Sequence, residues 1–294
     1  MDKILKLGTR GSKLALTQAN LVLNKLEKLG IKAEIVPITT TGDKITNKTL
    51  YDIGGKALFL KEIEEALLAG EVDLAVHSMK DVPAELPNGL IIASVLEREN
   101  PQDMLISKFP DINSLPIGAV VGTSSVRRIV QIKAINPNVI IENLRGNIDS
   151  RLSRYLAGEF DAIILASAGL NRLGLTHSDF KLIPVEQMVP AVGQGFIAIE
   201  IRENDEELKN ICLQLNHVDS WNALQAERGF LETLKGDCRT PMGAYAKNID
   251  GKLNINYFLA EIDGSNIRKT IEVCDIDKAY DNGKFIATKF IADK

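Results

Sequence analysis

The sequence predicts an α/β protein of two open-sheet domains followed by a small α+β domain, and three observations carry that prediction. Short apolar runs alternate with helix-patterned segments from residue 3 to residue 98. The alternation resumes after a charged, proline-containing crossing, "ERENPQD", at residues 97–103. From Asp219 the order changes to one helix, three strand-like runs and a final helix. A chain of 294 residues with 45% hydrophobic content buries a core large enough for two or three domains.

Residues 3–7 form the first strand. Ser12 caps a helix from Lys13 to about Leu29, Gly30 ends it, and "AEIVPIT" supplies the second strand. "ALFLKEIEEALLAG", 57–70, has apolar residues at helical spacing and finishes in glycine, before "VDLAVHSM" reads as a buried strand. Lys80 and Asp81 then sit just past that strand's carboxyl end. "LIIASVL" completes the first run. In the second run "GAVVGTSS" enters a helix starting near Val126, "NVIIENLRGN" enters one ending near Gly158, and "FDAIILASAG" enters a short helical turn. After "IPVEQMVPAVGQG", 183–195, "FIAIEIR" is a strand pattern whose partner stays open; a return to the first sheet would make the first domain discontinuous. The last region has a helix to about Lys235, strand-like runs at 242–247, 252–260 and 267–273, and a helix from about Asp277.

The formal charge of −4 argues against a surface built for nucleic acid but leaves room for a local cationic cleft. Cys212, Cys238 and Cys274 lie far apart, fit no disulfide framework or metal-ligand spacing, and favour a reducing compartment. "MDKILKLGTRGSKLAL" lacks a signal-peptide pattern, and no stretch approaches the roughly 18 apolar residues of a membrane span. The expectation is a protein neither exported nor anchored.

Open α/β sheets bind ligands beyond the carboxyl ends of their strands. The loops there are "TRGS" (9–12), "HSMKD" (77–81), "GTSSVRR" (122–128), "LRGN" (144–147) and "GLNRLG" (169–174). They bring Arg10, Lys80, Arg127, Arg128, Arg145 and Arg172, with Arg151 and Arg154 one helical turn apart just beyond. In an acidic protein this bias points to several carboxylates or phosphates gripped in one cleft, because the arginine fork binds them bidentately and stays charged when partly desolvated. The plain alternative is arginines that face water or pair with Glu and Asp. "GTSS" is no P-loop, and no dinucleotide fingerprint occurs.

Asp81 is either an ionised acid that stabilises a cation or relays a proton, or an ordinary turn residue. His77 can orient its loop by hydrogen bonding and has no close His or Cys partner, while His177 and His217 read as surface or packing residues. Cys212 in "LKNICLQL" and Cys274 in "IEVCDI" read as helix and strand packing. Cys238, in "GDCRTPMGAYA", lies in an ordered, accessible loop; packing, nucleophile and attachment point all stay open, with Arg239 favouring thiolate and Asp237 opposing it.

"RGSKLAL", "GGKALFLKEIE", "AVHSMKDVP", "VGTSSVRR", "LRGNIDSRL", "DAIILASAGLNRLG", "PAVGQG" and "GDCRTPMGAYA", in this order, resemble the porphobilinogen deaminase family across essentially the whole chain. The resemblance implies two periplasmic-binding-protein-like α/β domains with mixed sheets, 1–98 plus 195–217 and 99–194, and a small α+β C-terminal domain, 218–294. It implies an enzyme that joins four porphobilinogen molecules head to tail with release of ammonia, giving hydroxymethylbilane for tetrapyrrole biosynthesis. Its cofactor is a dipyrromethane primer, held by a thioether to Cys238, and no metal is implied.

By the same resemblance Asp81, Arg10, Arg128 and Arg145 serve catalysis. Cys238, Ser12, Lys80, Ser125, Arg127, Arg128, Arg145 and Arg151 hold the cofactor, and Arg10, Lys56, Arg145 and Arg172 bind substrate. The expected partners are porphobilinogen and the growing linear pyrrole chain, with no nucleic acid and no membrane, for a monomer in the cytoplasm. One departure stands out: the family often has glycine and glutamine on either side of the cysteine, where this chain has Asp237 and Arg239. A reversible anion- or solute-binding protein on the same cleft is the alternative, and would carry no cysteine-linked group. A structural or regulatory α/β protein would follow if the cationic loops failed to converge.

Overall fold

The structure, a computed structural model, describes residues 4–44, 60–237 and 239–293. The chain opens with β1 (Leu5–Arg10), α1 (Lys13–Lys28), β2 (Ala33–Ile38), the short α2 (Thr41–Lys44), α3 (Lys61–Leu68), β3 (Leu74–Ser78) and β4 (Leu90–Val95). It crosses into β5 (Asp103–Ser107), β6 (Val120–Gly122), α4 (Val126–Ile135), β7 (Ile140–Glu142), α5 (Ile148–Leu156), β8 (Ala162–Ala166), α6 (Ser167–Arg172) and β9 (Phe180–Leu182). It returns in β10 (Ile197–Arg202) and α7 (Glu206–Leu215), and ends with α8 (Val218–Leu234), β11 (Met242–Ile249), β12 (Lys252–Leu259), β13 (Arg268–Asp275) and α9 (Ala279–Ala292).

Local chemistry sets the element ends. The Ser12 hydroxyl accepts from the Ala15 N–H at 3.3 Å to start α1, whose Ala19, Val22 and Leu26 form the buried stripe against the first sheet. Asn147 starts α5 in the same way, accepting from the Ser150 N–H at 2.8 Å. Four of the five residues of β3 are buried, as in a strand covered on both faces.

The two five-stranded sheets share one plan. The first runs β2-β1-β3-β10-β4 and the second β7-β6-β8-β5-β9. In each, three parallel strands are followed by an antiparallel one in fourth place. That fourth strand is β10 in the first sheet and β5 in the second, the strand by which the chain enters from the other sheet. The run after Gly195 therefore sits in the first sheet, between β3 and β4. The third sheet is the antiparallel meander β11-β12-β13, packed on α8 and α9 around Phe230, Tyr257 and Phe290. Two mixed α/β sheets and a small α+β unit are the fold class the sequence predicts.

The sequence reading passes over α2, β5 and β9. β5 begins on the last residue of what reads as the charged crossing, and β9 is too short to carry a pattern. The helix expected over 57–70 is α3 at Lys61–Leu68, with 57–59 outside the described residues. A 3-10 turn at Ile276–Lys278 precedes α9, so the last helix begins later than expected.

The two crossings run side by side. Leu96 and Glu99 donate to the carbonyls of Ile197 and Gly195, both at 3.1 Å. Gly195 is required there, because its φ is +94° and a Cβ would lie 2.3 Å from the Glu99 oxygen. The third unit is tied to this hinge by Glu227 of α8, fully buried, which accepts from Arg98 at 2.7 Å and from the backbone N–H groups of Gly193 at 2.8 Å and Ala246 at 2.9 Å. Among the described residues no helix is long and apolar enough to cross a membrane.

Candidate active site

The cationic loops open on common space between the two sheets. A cavity of about 690 Å³ is lined by Arg10 and Ser12 from the end of β1, Lys80 and Asp81 after β3, Arg128 on α4, Arg145 and Arg151 around the start of α5, and Arg172 at the end of α6. Eight of its lining residues are Lys or Arg and two are Asp, against an overall excess of acids in the chain. A second chamber of about 520 Å³ adds Ser125, Arg127, Lys235, Gly236, Asp237 and Thr240, and shares Lys80, Asp81, Ser124, Arg128, Arg151 and Gln194 with the first. Lys80 and Asp81 thus stand where the chambers meet. A 3-10 turn, Met79–Asp81, holds them there with Met79 packed into the core.

Lys56 and Cys238 lie outside the described residues. Asp237 and Thr240, which precede and follow position 238 in the chain, line the second chamber. The reading in which the cationic loops point apart is therefore set aside.

Gathering cations away from bulk water has a cost that appears in their proton affinities. Lys80 opens onto the cavity yet is enclosed by the cleft walls; this desolvation, opposed by Asp81 and reinforced by Arg128, pushes its pKa down to about 8. Desolvation and the neighbouring Arg128 and Arg145 push Arg151 down to about 10, and desolvation does the same to Arg172. One terminal nitrogen of Arg145 is buried without a hydrogen-bond partner. A bound carboxylate would relieve all of these at once.

Arg127 and Arg128 are arranged differently, around a residue that sequence reasoning does not single out. Asp103, at the start of β5 and fully buried, accepts from Arg127 Nη1 at 2.7 Å, Arg128 Nη2 at 2.7 Å, Arg128 Nε at 3.2 Å and Gln194 Nε2 at 3.0 Å. Although burial alone would raise it, these two guanidinium groups hold its carboxyl far below the usual range. The plain alternative for helix-borne arginines is realised here in part. Arg128 spends its remaining Nη1 on the Ile164 carbonyl at 2.8 Å, whereas Arg127 Nε is buried without a partner. The signal available in the sequence was weak: an aspartate directly before a buried apolar run.

Behind the Lys80–Asp81 turn, His77 Nε2 lies 2.9 Å from Glu200 Oε2, both buried, so His77 braces its strand within the sheet. Nearby Glu64, 4% exposed, is pushed up to about 7 by burial and by Glu200. Among the described residues no cluster of His, Cys, Asp and Glu is placed to hold a metal ion. His217, read as unremarkable from sequence, caps α8 by accepting from the Ser220 N–H at 3.3 Å.

The turn after α8 is tightly specified. Lys235 caps the helix in the left-handed region, and a Cβ on Gly236 would lie 2.2 Å from Met242 Sδ. Thr240 N–H donates to the Asp237 carbonyl at 3.0 Å, and Asp237 N–H donates to Thr240 Oγ1 at 3.2 Å. Cys212 is buried in α7, its thiol pushed up to about 11 by desolvation, and Cys274 is half-buried in β13 with its thiol raised for the same first reason. Both are packing residues, as the sequence predicts.

Two family descriptions match the chain in tandem: "Porphobilinogen deaminase, dipyromethane cofactor binding domain" over residues 5–210 and "Porphobilinogen deaminase, C-terminal domain" over residues 221–292. The porphobilinogen deaminase of Rickettsia prowazekii (strain Madrid E) is 48% identical over 281 residues, covering 94% of each chain. That of Orientia tsutsugamushi (strain Boryong) is 50% identical over 268 residues, covering 87% of this chain and 90% of its own. Among solved structures, a periplasmic substrate-binding protein of an ABC transporter from Coxiella burnetii is similar at a TM-score of 0.46 and 16% identity, over 77% of this chain and 97% of that one.

Proposed function

The chain belongs to the porphobilinogen deaminase family, and from that premise we propose how its residues divide the work of a primed polymerisation between the two chambers. The enzyme is a transferase that joins porphobilinogen units into hydroxymethylbilane with loss of ammonia, in tetrapyrrole biosynthesis, using a dipyrromethane cofactor. The observation that carries the division is the crowd of cations, short of counter-charge, that meets at Lys80 and Asp81.

The cleft fits the cofactor: the orphaned nitrogens of Arg127 and Arg145 are buried donors awaiting acceptors, and the primer's acidic side chains supply carboxylates. Cys238 carries it by a thioether, a reading supported by the position of Asp237 and Thr240 on the second chamber's wall. Ser12, Lys80, Ser125, Arg127, Arg128, Arg145 and Arg151 hold it. When bound, the primer supplies the pyrrole carbon at which the chain is extended.

Arg10, Arg145 and Arg172, on the first chamber, grip the carboxylates of porphobilinogen and of the growing pyrrole chain, with Lys56 as a further substrate ligand. Bidentate grips at both carboxylates of a ring fix its plane and so orient its reacting carbon. Arg10, Arg128 and Arg145 also serve the chemical step. Asp81 borders both chambers, so its carboxylate can face the positive charge that spreads over an incoming pyrrole ring as ammonia departs, and can take up the proton released when the ring regains aromaticity. Without a bound carboxylate, burial holds the Lys80 pKa down to about 8; a carboxylate held beside it would raise that value, so anion binding and protonation of Lys80 favour each other.

The sheet memberships support domains at 1–98 with 195–217, 99–194 and 218–294. Both described cysteines being free thiols supports a reducing, cytoplasmic setting for what we take to be a monomer. The test of the anchor is intact mass after denaturation with peptide mapping. Wild-type protein is expected to carry two linked pyrrole rings on Cys238, and Cys238→Ala to carry none and form no product. Normal turnover by Cys238→Ala would remove the anchor from this residue.

A further inference from the structure

Arg228 lies on α8 and is not among the described residues that line either chamber. We propose that it is nevertheless a positioning residue for the reaction, which holds the Lys80–Asp81 turn in place by gripping the chain just beyond it. The inference rests on the reading of Asp81 as the carboxylate that acts on the reacting ring.

All three nitrogens of the guanidinium donate. Nη1 donates to the Pro83 carbonyl at 2.7 Å, Nη2 to the Ala84 carbonyl at 2.8 Å and Nε to Glu232 Oε1 at 2.8 Å. Glu232 is oriented in turn, because its other oxygen accepts from the Tyr280 hydroxyl at 2.6 Å. Tyr280 belongs to α9, which approaches α8 closely at Gly229, where a Cβ would overlap the Tyr280 carbonyl oxygen. Arg228 is 8% exposed, so packing as well as bonding aims its planar fork.

The grip matters because the chain after Asp81 leaves the sheet. Residues 82–89 form neither helix nor strand, so their carbonyls depend on partners from elsewhere. Val82, Pro83, Ala84, Glu85, Leu86 and Pro87 nevertheless line the second chamber together with Lys80 and Asp81. On the upstream side the turn is fixed by Met79, whose N–H donates to the Phe196 carbonyl and whose carbonyl accepts from the Val82 N–H, both at 3.1 Å. Arg228 supplies the hold on the downstream side, two and three residues past Asp81, and Val82 between them is buried in one core with Leu224 and Leu231 of α8. A shift of this segment reaches the carboxylate within a few bonds, and a displacement of about 1 Å near a reacting centre can cost about 100-fold in rate.

The test is single-turnover condensation by primer-loaded, full-length protein over a range of porphobilinogen concentrations, with urea unfolding as the folding control. Arg228→Lys keeps the charge and loses the fork. It is expected to lower the maximal condensation rate about tenfold and to leave the half-saturating porphobilinogen concentration within about twofold of wild type, since the cations of the cleft are untouched. Tyr280→Phe keeps the fork and frees one oxygen of Glu232, for an expected loss of about twofold. The deciding arm joins Arg228→Lys to Asp81→Ala. A residue that acts through Asp81 has nothing left to position there, so the double variant is expected within about twofold of Asp81→Ala alone. If Arg228→Lys shows no cooperative unfolding transition, Glu232→Gln takes its place in both arms, with a loss of about fivefold expected alone.

A maximal rate equal to wild type, a change confined to half-saturation, or a double variant slowed by the full product of the two single losses would overturn the proposal. Asp81→Ala by itself separates the two readings. Condensation at the wild-type rate in that variant removes Asp81 from the reacting ring, whereas a slow Asp81→Ala with fully multiplicative losses removes only the positioning role of Arg228.

Discussion

Asp81 illustrates how much one side chain depends on its neighbours. It follows Lys80 on a turn anchored by Met79, and the nearest electrostatic partners of that turn, Arg128 and Arg151, come from the other sheet. The role proposed for this carboxylate is to stabilise positive charge on a ring brought between the chambers. Asp81→Ala should therefore slow the chemical step of primer-loaded protein by about 100- to 1,000-fold while the covalently held primer is retained. Single-turnover quench measurements on preloaded protein decide this; an undiminished condensation step would show that Asp81 does not act on the reacting ring.

The junction of β5, α4 and the returning crossing shows where an element's stability hangs on one residue. Asp103 offsets two buried guanidinium groups and binds Gln194 of the hinge. Asp103→Asn strands those charges and should lower unfolding free energy by about 3–5 kcal/mol in urea titrations. The sign with pH follows from its depressed folded pKa: the stabilisation is present above the unfolded carboxyl value near ~3.9 and is lost as pH falls through and below it. The wild-type curve should drop in acid while the Asp103→Asn curve, lower throughout, stays flatter; equal stability at neutral pH would contradict the account. This junction was also the least legible part of the sequence. All five residues of β5 are buried, so the strand carries no alternation, and beside a charged crossing it reads as loop. Helix starts such as those at Ser12 and Asn147 were legible in contrast, because a capping side chain acts within three residues of itself.

At the scale of the molecule, the sequence exposes what repeats along the chain and hides what closes across it. Arginines after strand ends announce a cleft because every βα loop of an open sheet opens on the same side. The buried pairs His77–Glu200 and Arg98–Glu227 join residues 123 and 129 positions apart, and no local pattern marks them. Nor does spacing reveal that Arg127 and Arg128 share Asp103, which needs the second sheet already folded. What emerges is a cationic cleft between two sheets, with a third unit bringing its loop to one of the two chambers. The claim central to this account is that the first chamber's arginines hold a pyrrole chain growing from a tether beside the second. Denaturing mass spectrometry of primer-loaded protein mixed with limiting porphobilinogen tests it most directly, by reading the ladder of units added to Cys238. Wild type is expected to give the full ladder. Arg145→Leu and Arg172→Leu should keep the primer but extend it about 10- to 100-fold more slowly, the loss expected for charged hydrogen bonds; a full ladder at the wild-type rate in both variants would contradict the account.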